Sequence, residues 1–307
     1  MYKPYMLVSV LLLVCSACVS SRPDPSEPRG FLADTSSVEP IAAVETVLVA
    51  AADAATLDDD SRQAAIARHL KFEADDPNSL IIHAGYVIQF NEEHKTPNWT
   101  LNEITPAQIQ PREPSLRRPS SFKVDSLLDA DKQARHGDYS NSGFDRGHFT
   151  PAADFTQDQN LKDATFFVTN IGPQTPDLNQ RVWRILEEEI RALVLDSAAT
   201  AHVFTGAIYA SKNARNRGVS RKHIGIASSF YKIVYLQAAT FDYAYAFLVP
   251  HMFAYPTDNP ACYQVTVDEV EQVAEEDFLD LIPDDKERLL EAAVLDVSGW
   301  LEPCTEE

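Results

Sequence analysis

Runs of β-branched and aromatic residues predict the first two strands of this chain. The segment 79–90 (SLIIHAGYVIQF) has the composition of a strand, and the polar segment 91–98 (NEEHKTPN) is typical of a turn. A second strand is predicted over 99–105 (WTLNEIT). Together the three segments predict a β-hairpin.

Four more apolar runs predict buried strands further along the chain. They are 164–171 (ATFFVTNI), 201–209 (AHVFTGAIY), 230–238 (FYKIVYLQA) and 243–250 (YAYAFLVP). The polar stretch 105–143, with four prolines, separates them from the hairpin. We expect this stretch to be a long surface connection, a kind of segment that often carries functional residues.

Helical periodicity appears in three places. Residues 177–195 predict one helix with Asp177 as N-cap, and 41–71 predict one or two helices. Residues 267–295 predict two acidic helices separated by Pro283. Because strands and helices do not alternate regularly, we expect an α+β fold: a mixed or antiparallel sheet with helices on its flanks.

Polar side chains interrupt the apolar face of the predicted helix 177–195. At 100° per residue, Asn179 falls in the middle of the apolar stripe and Glu187 at its edge. On the same projection Arg181, Arg184, Glu188 and Arg191 point to the other side. A buried amide without a partner costs on the order of 1–3 kcal/mol, so either a ligand or a capping network must satisfy Asn179.

The segment GFDRGHFTPAADF (143–155) holds the strongest candidate chemistry. His148 follows Asp145 and Arg146 across a glycine that lets the backbone come close to a neighbour. A lone histidine is more often structural than catalytic. A histidine base beside a hydrated metal ion would suit phosphodiester hydrolysis, with Asn179 about thirty residues downstream.

Charge is distributed unevenly along the 307 residues. The formal net charge is −20, which taken alone argues against a nucleic acid partner. Between Arg112 and Lys232, however, 17 Lys and Arg stand against 14 Asp and Glu. This central segment is the part of the chain that would not repel a polyanion.

The N-terminal residues predict export. Lys3 precedes an apolar run, and Ser16 and Ala17 stand before Cys18, as in the lipobox of a bacterial lipoprotein signal. Cys15 departs from the leucine-like residue usual there, and its spacing from Cys18 also fits C-x-x-C. An apolar leader favours the signal, so we expect a periplasmic or membrane-anchored lipoprotein with a possible lipid on Cys18. Residues 19–40 predict a flexible acidic linker.

Two further cysteines stand near the C-terminus. Export would place Cys262 and Cys304 in a compartment that favours oxidation, where they could form a disulfide. The alternative is a pair of free, partly buried thiols. The sequence does not give the distance between them.

Taken together, these motifs resemble the DNA/RNA non-specific endonuclease family, which is built on a ββα-metal finger. The segments DYSNSGFDRGHFTPAADF, ATFFVTNIGPQTPDLNQRVWRILE, VFTGAIY and FYKIVY follow the order and approximate spacing of that family. The hairpin and the segment YQVTVDEVE also resemble its opening and closing parts. The resemblance runs from about residue 80 to residue 280.

The resemblance implies a role for each candidate residue. His148 would be the general base, and Asn179 would bind Mg²⁺, with Mn²⁺ as a possible substitute. Glu187 would hold a metal-bound water, while Arg146 and Arg118 would bind phosphate or stabilise its charge. Arg117 leaves the register at Arg118 open. Supporting roles for the finger and the substrate would fall to Asp145, Asn170 and Gln174.

The implied function is a metal-dependent endonuclease that cleaves DNA and RNA without sequence preference. An inactive nuclease-like binding module and a phosphodiesterase for other phosphate esters are the alternatives. The expected organisation is a signal at 1–18, a linker at 19–40, a helical extension at 41–75, the nuclease domain at 76–295 and a tail at 296–307. The sequence does not indicate the oligomeric state.

Overall fold

A computed structural model describes residues 80–209, 224–240, 242–280 and 282–305 of the chain. The predicted signal at 1–18, the linker at 19–40 and the helical extension at 41–75 lie outside the described residues and stay predictions. In the part of the chain that the structure describes, no helix is both long and apolar enough to cross a membrane.

Within the described residues, the main sheet has seven strands in the order β1-β2-β3-β6-β7-β8-β9. Neighbouring strands all pair antiparallel, so the predicted α+β class is confirmed with the antiparallel variant of the sheet. The strands are β1 Leu80–His83, β2 Tyr86–Asn91, β3 Thr96–Ile104, β6 Thr200–Ile208, β7 Ser229–Gln237, β8 Asp242–Pro250 and β9 Gln264–Val265.

The predicted hairpin is instead a three-stranded meander. The single strand expected over 79–90 is wrong, because the chain turns between His83 and Tyr86, which pair with each other. Gly85 in this turn lies against the ring of Phe155, and a Cβ there would come within 2.8 Å of that ring. The close approach to Phe155 favours a glycine at this position. The turn that contains it divides the apolar run into two strands.

A second, two-stranded sheet leads into the longest helix described. β4 (Asp145–His148) pairs antiparallel with β5 (Ile171–Gln174). A π-helical turn, Leu178–Val182, then continues into helix α2 (Trp183–Ser197). This ββα unit corresponds to the finger expected from the sequence. The short helix α1 (Gln159–Ala164) lies between the two strands in the chain.

The strand predicted over 164–171 is wrong. Its residues are largely buried, but Val168–Asn170 form a 3₁₀ turn, and of this segment only Ile171 belongs to a strand. The side chain of Asn170 explains the difference, since its Nδ2 donates to the carbonyls of Thr150 and Thr165. Such side-chain bonds to the backbone compete with ladder pairing.

The connection at 105–143 is less of a surface segment than expected. It contains little regular structure, yet Asp125 and Gln133 within it are buried. Asp125 accepts hydrogen bonds from Thr169 at 2.6 Å and pairs with His83 at 2.9 Å. Gln133 bonds to the backbone nitrogen and oxygen of Asp125. Buried polar contacts therefore fix the connection to the sheet and to the ββα unit.

Apolar residues cover both faces of the main sheet. On one face α2 packs through Trp183 and Leu186 against Phe230 and Val234 of β7. On the other face the C-terminal region packs against the alternate β7 residues Tyr231 and Ile233, with Val270, Phe278 and Leu279 among the residues that cover them. The molecule thus has three layers, with the sheet in the middle.

The two predicted C-terminal helices are confirmed with shorter bounds. α3 (Val267–Ala274) begins with a capping box between Thr266 and Glu269, and α4 (Asp284–Glu291) follows Pro283. Cys262 and Cys304 form a disulfide with their Cα atoms 4.9 Å apart, which decides between the two alternatives left open by the sequence. This bond ties the tail to the segment before α3.

Candidate active site

His148 lies at the end of β4, enclosed by aromatic rings. Its ring centroid is 5.3 Å from that of Phe122 and 5.0 Å from that of Phe166. The Nε2 atom is buried and has no hydrogen-bond partner among the described residues. Burial, together with the nearby charges of Arg118 and Lys162, lowers the pKa of His148 to about 3. The imidazole is therefore neutral and able to accept a proton.

Asn179 lies in the π-helical turn and is oriented by Asp145 of β4. Its Nδ2 donates to Asp145 Oδ2 at 2.9 Å, and Gln180 Nε2 donates to the same oxygen at 2.7 Å. The Oδ1 atom of Asn179 accepts no hydrogen bond from the described residues. Asp177 stands at the N-cap position as predicted, but its side chain accepts from no backbone amide of the helix and instead pairs with Arg181.

Glu187 lies two turns further along α2, half-buried above the sheet. Burial raises its pKa, while the charges of Lys232 and Arg191 act in the opposite direction. Lys232 projects from β7, 1% exposed, with its Nζ 3.8 Å from Glu187 Oε1. The same Nζ donates to Thr205 at 2.7 Å and lies 4.8 Å from the ring centre of Trp183.

Arg191 belongs to this buried polar network. The helical projection, which placed it on the opposite side of the helix, is wrong for this residue. Its guanidinium pairs at 2.8 Å with Asp154, which is 1% exposed and also accepts from Asn102. Neither Lys232 nor Asp154 was predicted to belong to this network. For Arg191 a signal was available, because the spacing of four residues from Glu187 places both side chains on one helix face.

Three arginines line the cleft around His148. Arg118 lies 5.0 Å above the ring of Phe166 and lines the cleft, whereas Arg117 is not among the cleft residues and donates to three backbone carbonyls. Arg146 is held by two hydrogen bonds to the His136 carbonyl. Arg184, predicted to point away, also lines the cleft and pairs with Glu188 at its rim.

Asn170 and Gln174 support the finger and do not line the cleft. Asn170 is fully buried, and its Oδ1 accepts from the backbone amide of Thr150. Gln174 is packed against Gly147, where a Cβ would stand 2.1 Å from Gln174 Oε1. The glycine of the DRGH segment is thus required because the side chain of Gln174 packs against its Cα.

The cleft lined by His148, Asn179 and Glu187 has a volume of about 490 Å³, and cations outnumber carboxylates in its lining. Arg118, Arg146 and Arg184 contribute three cations to its lining, against the single carboxylate of Glu187. Asn179 also lines the cleft, together with Glu187. Amide and carboxylate oxygens with so few protein ligands suit a hydrated divalent ion such as Mg²⁺, and guanidinium groups suit phosphate.

A family model for the DNA/RNA non-specific endonuclease matches residues 64–285. The chain belongs to this family, as its motifs had indicated. It is 30% identical to human mitochondrial endonuclease G over 161 residues, which cover 50% of this chain and 53% of that protein. It is also 30% identical to Nuclease C1 of Cunninghamella echinulata var. echinulata over 204 residues, covering 64% and 80% respectively.

A solved structure supports the same fold. The crystal structure of an EndoG/EndoGI complex matches with a TM-score of 0.63 and 22% identity, covering 71% of this chain and 92% of that chain. The alignment with human endonuclease G spans about half the length of that relative. The structural match thus shows the fold, and the family model shows the family.

Proposed function

We propose that this chain is a divalent-metal-dependent endonuclease that hydrolyses the phosphodiester bonds of DNA and RNA without base preference. The observation that carries the proposal is the convergence on one cleft of a neutral, unpaired His148 and the free Oδ1 of Asn179. The family membership and the relatives named as nucleases support it.

Each residue has a physical task in this proposal. His148 takes the proton from the water that attacks phosphorus, since burial keeps its imidazole unprotonated. Arg146 and Arg118 bind the phosphate oxygens and stabilise the charge that develops on them. Asp145 orients Asn179 by accepting from its Nδ2, so that Oδ1 is presented to the cleft.

Asn179 would bind the metal ion directly, and Glu187 would hold one of its waters. When bound, Mg²⁺ or Mn²⁺ would neutralise phosphate charge and supply a water able to protonate the leaving 3′-oxygen. Lys232 pairs with Glu187 from the sheet and would help to hold it in place. Because contacts to phosphate carry no sequence information, DNA and RNA would both be cleaved.

The proposal is tested by incubating the protein with plasmid DNA and with RNA, with Mg²⁺ and with chelator. We expect both substrates to be cut only with metal, and His148→Ala to lower the rate by about 10²–10⁴-fold. His202→Ala is the matched control, since His202 lies on β6 and is not among the cleft residues.

Each other outcome identifies a different error. Cutting that chelator does not affect would overturn the metal role. Nucleic acid left intact in every condition, but bound, would favour the inactive binding module. Turnover of a small bis-aryl phosphate with intact DNA would favour a phosphodiesterase for other esters.

We also propose that the protein is exported and carries a lipid on Cys18. The Cys262–Cys304 disulfide supports an oxidising compartment, in which such bonds persist. Mass spectrometry of the mature N-terminus tests the proposal. A diacylglyceryl mass on Cys18 that Cys18→Ala abolishes is expected, and a mature chain that still contains residues 1–17 would contradict it.

A further inference from the structure

A group of carboxylates on the face of the sheet opposite α2 is not used by the proposed hydrolysis. Two sets of three acidic side chains each bring one oxygen per residue within 4.8 Å of one another, and Glu291 belongs to both sets. The first set is Asp268, Glu271 and Glu291, and the second is Asp277, Glu287 and Glu291. α3, α4 and the segment between them all contribute.

The spacing of these oxygens fits a shared cation. Oxygen ligands lie at about 2.4 Å from Ca²⁺, so two ligands on opposite sides of one ion are roughly 4.8 Å apart. The ligand atoms of each set lie within that limit. Ca²⁺ accepts six to eight oxygens in flexible geometry, whereas Mg²⁺ demands an octahedron and keeps several waters. A group this rich in carboxylates therefore suits Ca²⁺ better than Mg²⁺.

The burial of Glu291 is a second observation, independent of the spacing, that points to a bound cation. This residue is only 7% exposed, and its Oε1 is buried without a hydrogen-bond partner among the described residues. A buried carboxylate is expensive unless it is paired, hydrogen-bonded or bound to a metal. In each set, one carboxylate oxygen of Glu291 lies within 4.8 Å of the oxygens of the other two members.

The charges around Glu291 increase this cost. Glu271, Glu287, Asp277 and Asp268 all act to raise its pKa, after burial itself. From Val267 to the last residue the chain has 15 Asp and Glu and only two basic residues, Lys286 and Arg288. Lys286 pairs with Asp242, and Arg288 donates to the carbonyl of Asp284. Both basic side chains thus have partners outside the two sets.

We propose that this cluster is a Ca²⁺ site organised around Glu291, and that the ion joins α3 to α4. The competing occupant is a proton shared between the carboxylates. The two differ in what they predict, because a proton needs no metal and is replaced in full by an amide side chain. A Ca²⁺ site instead makes the melting temperature depend on free Ca²⁺ through Glu291.

Thermal melting of the full chain in chelator and in excess Ca²⁺ tests the proposal. We expect Ca²⁺ at a hundredfold excess over its Kd to raise the wild-type midpoint by about 5 °C or more. Glu291→Gln should lose that increase. Asp285→Asn, which removes an exposed charge from the same helix outside both sets, should keep it.

Calorimetric titration separates this site from the catalytic cleft, which could also take Ca²⁺. Asn179→Ala should still bind Ca²⁺ saturably, and the double variant Asn179→Ala/Glu291→Gln should not. Should Glu291→Gln fail to fold, Asp268→Asn, which changes an exposed member of the first set, provides the same comparison. Equal Ca²⁺ responses of wild type and the cluster variants, or no Ca²⁺ heat in Asn179→Ala, would overturn the proposal.

Discussion

Glu187 and Glu291 are two inward-facing carboxylates on opposite faces of one sheet. The charges nearest to Glu187 include cations, whereas those nearest to Glu291 are negative. Burial raises the pKa of each. Glu187 is opposed by Lys232 and Arg191, which favour its charged form. The charges that act most on Glu291 are those of other carboxylates. Among the described residues, Glu187 therefore has cations beside it, whereas Glu291 is surrounded mainly by charges of its own sign.

The contrast shows how the fold can supply a counter-charge to one buried carboxylate and not to another. Lys232 lies among Phe230 and Val234 on the α2 side of β7, so the sheet itself delivers a cation beneath Glu187. The other side of β7 presents Tyr231 and Ile233, which supply no charge to the C-terminal helices. The first arrangement fixes a side chain in place, and the second requires something from solution.

Lys232→Met would break the contrast by removing the cation that the sheet places beside Glu187. Of the variants considered, it should have the largest effect on stability. Removing one partner of a buried ion pair costs about 3–5 kcal/mol, because the remaining charge stays buried. We expect a loss of this size in the free energy of unfolding, measured by urea denaturation, with lowered nuclease activity.

Two further variants show whether the effect belongs to the pair. Lys132→Met removes an exposed lysine paired with Glu92 and should leave the urea midpoint unchanged. Glu187→Gln in the Lys232→Met background should recover part of the lost stability, as coupled neighbours do. Additive effects of Lys232→Met and Glu187→Gln would mean that the two side chains do not stabilise each other.

The catalytic side of this contrast was largely predictable from the sequence. His148, Asp145 and Arg146 stand together in one tetrad, and Asn179 and Glu187 lie on one helix, so short-range spacing sufficed to group them. The seven-stranded order was not predicted in detail, but six of its strands fall on apolar runs. The turn at Gly85 was missed because it depends on contact with Phe155, a residue seventy positions away.

What the sequence could not show depends on long-range packing. Lys232 stands in an ordinary strand pattern, and only the register of β6 with β7 brings it to Thr205. The π-helical turn at Leu178–Val182 adds a residue to one helical turn, which a uniform 100° projection cannot represent. In the sequence, nothing distinguishes Glu291 from the other acidic residues near it. Only the packing of α4 against α3 brings it close to the carboxylates of α3.

The pH dependence of stability in chelator sharpens the contrast and should give the smallest effect. The pKa of Glu291 is raised by burial and by Glu271, Glu287, Asp277 and Asp268 from 4.5 to about 8. A carboxyl with a raised folded-state pKa contributes stability that is complete below about pH 4.5 and is lost as the pH rises through about 8. Without metal, the wild-type free energy of unfolding should therefore fall across this window.

Glu291→Gln should remove that part of the decline, because an amide does not titrate. The difference between variant and wild type should grow from pH 5 to pH 8 in chelator, measured by urea denaturation at each pH. Excess Ca²⁺ should reverse the trend for wild type alone, since the ion competes with the proton for the same oxygens. Parallel profiles for the two proteins in chelator would mean that Glu291 is not held protonated by its neighbours, and the contrast with Glu187 would then rest on geometry alone.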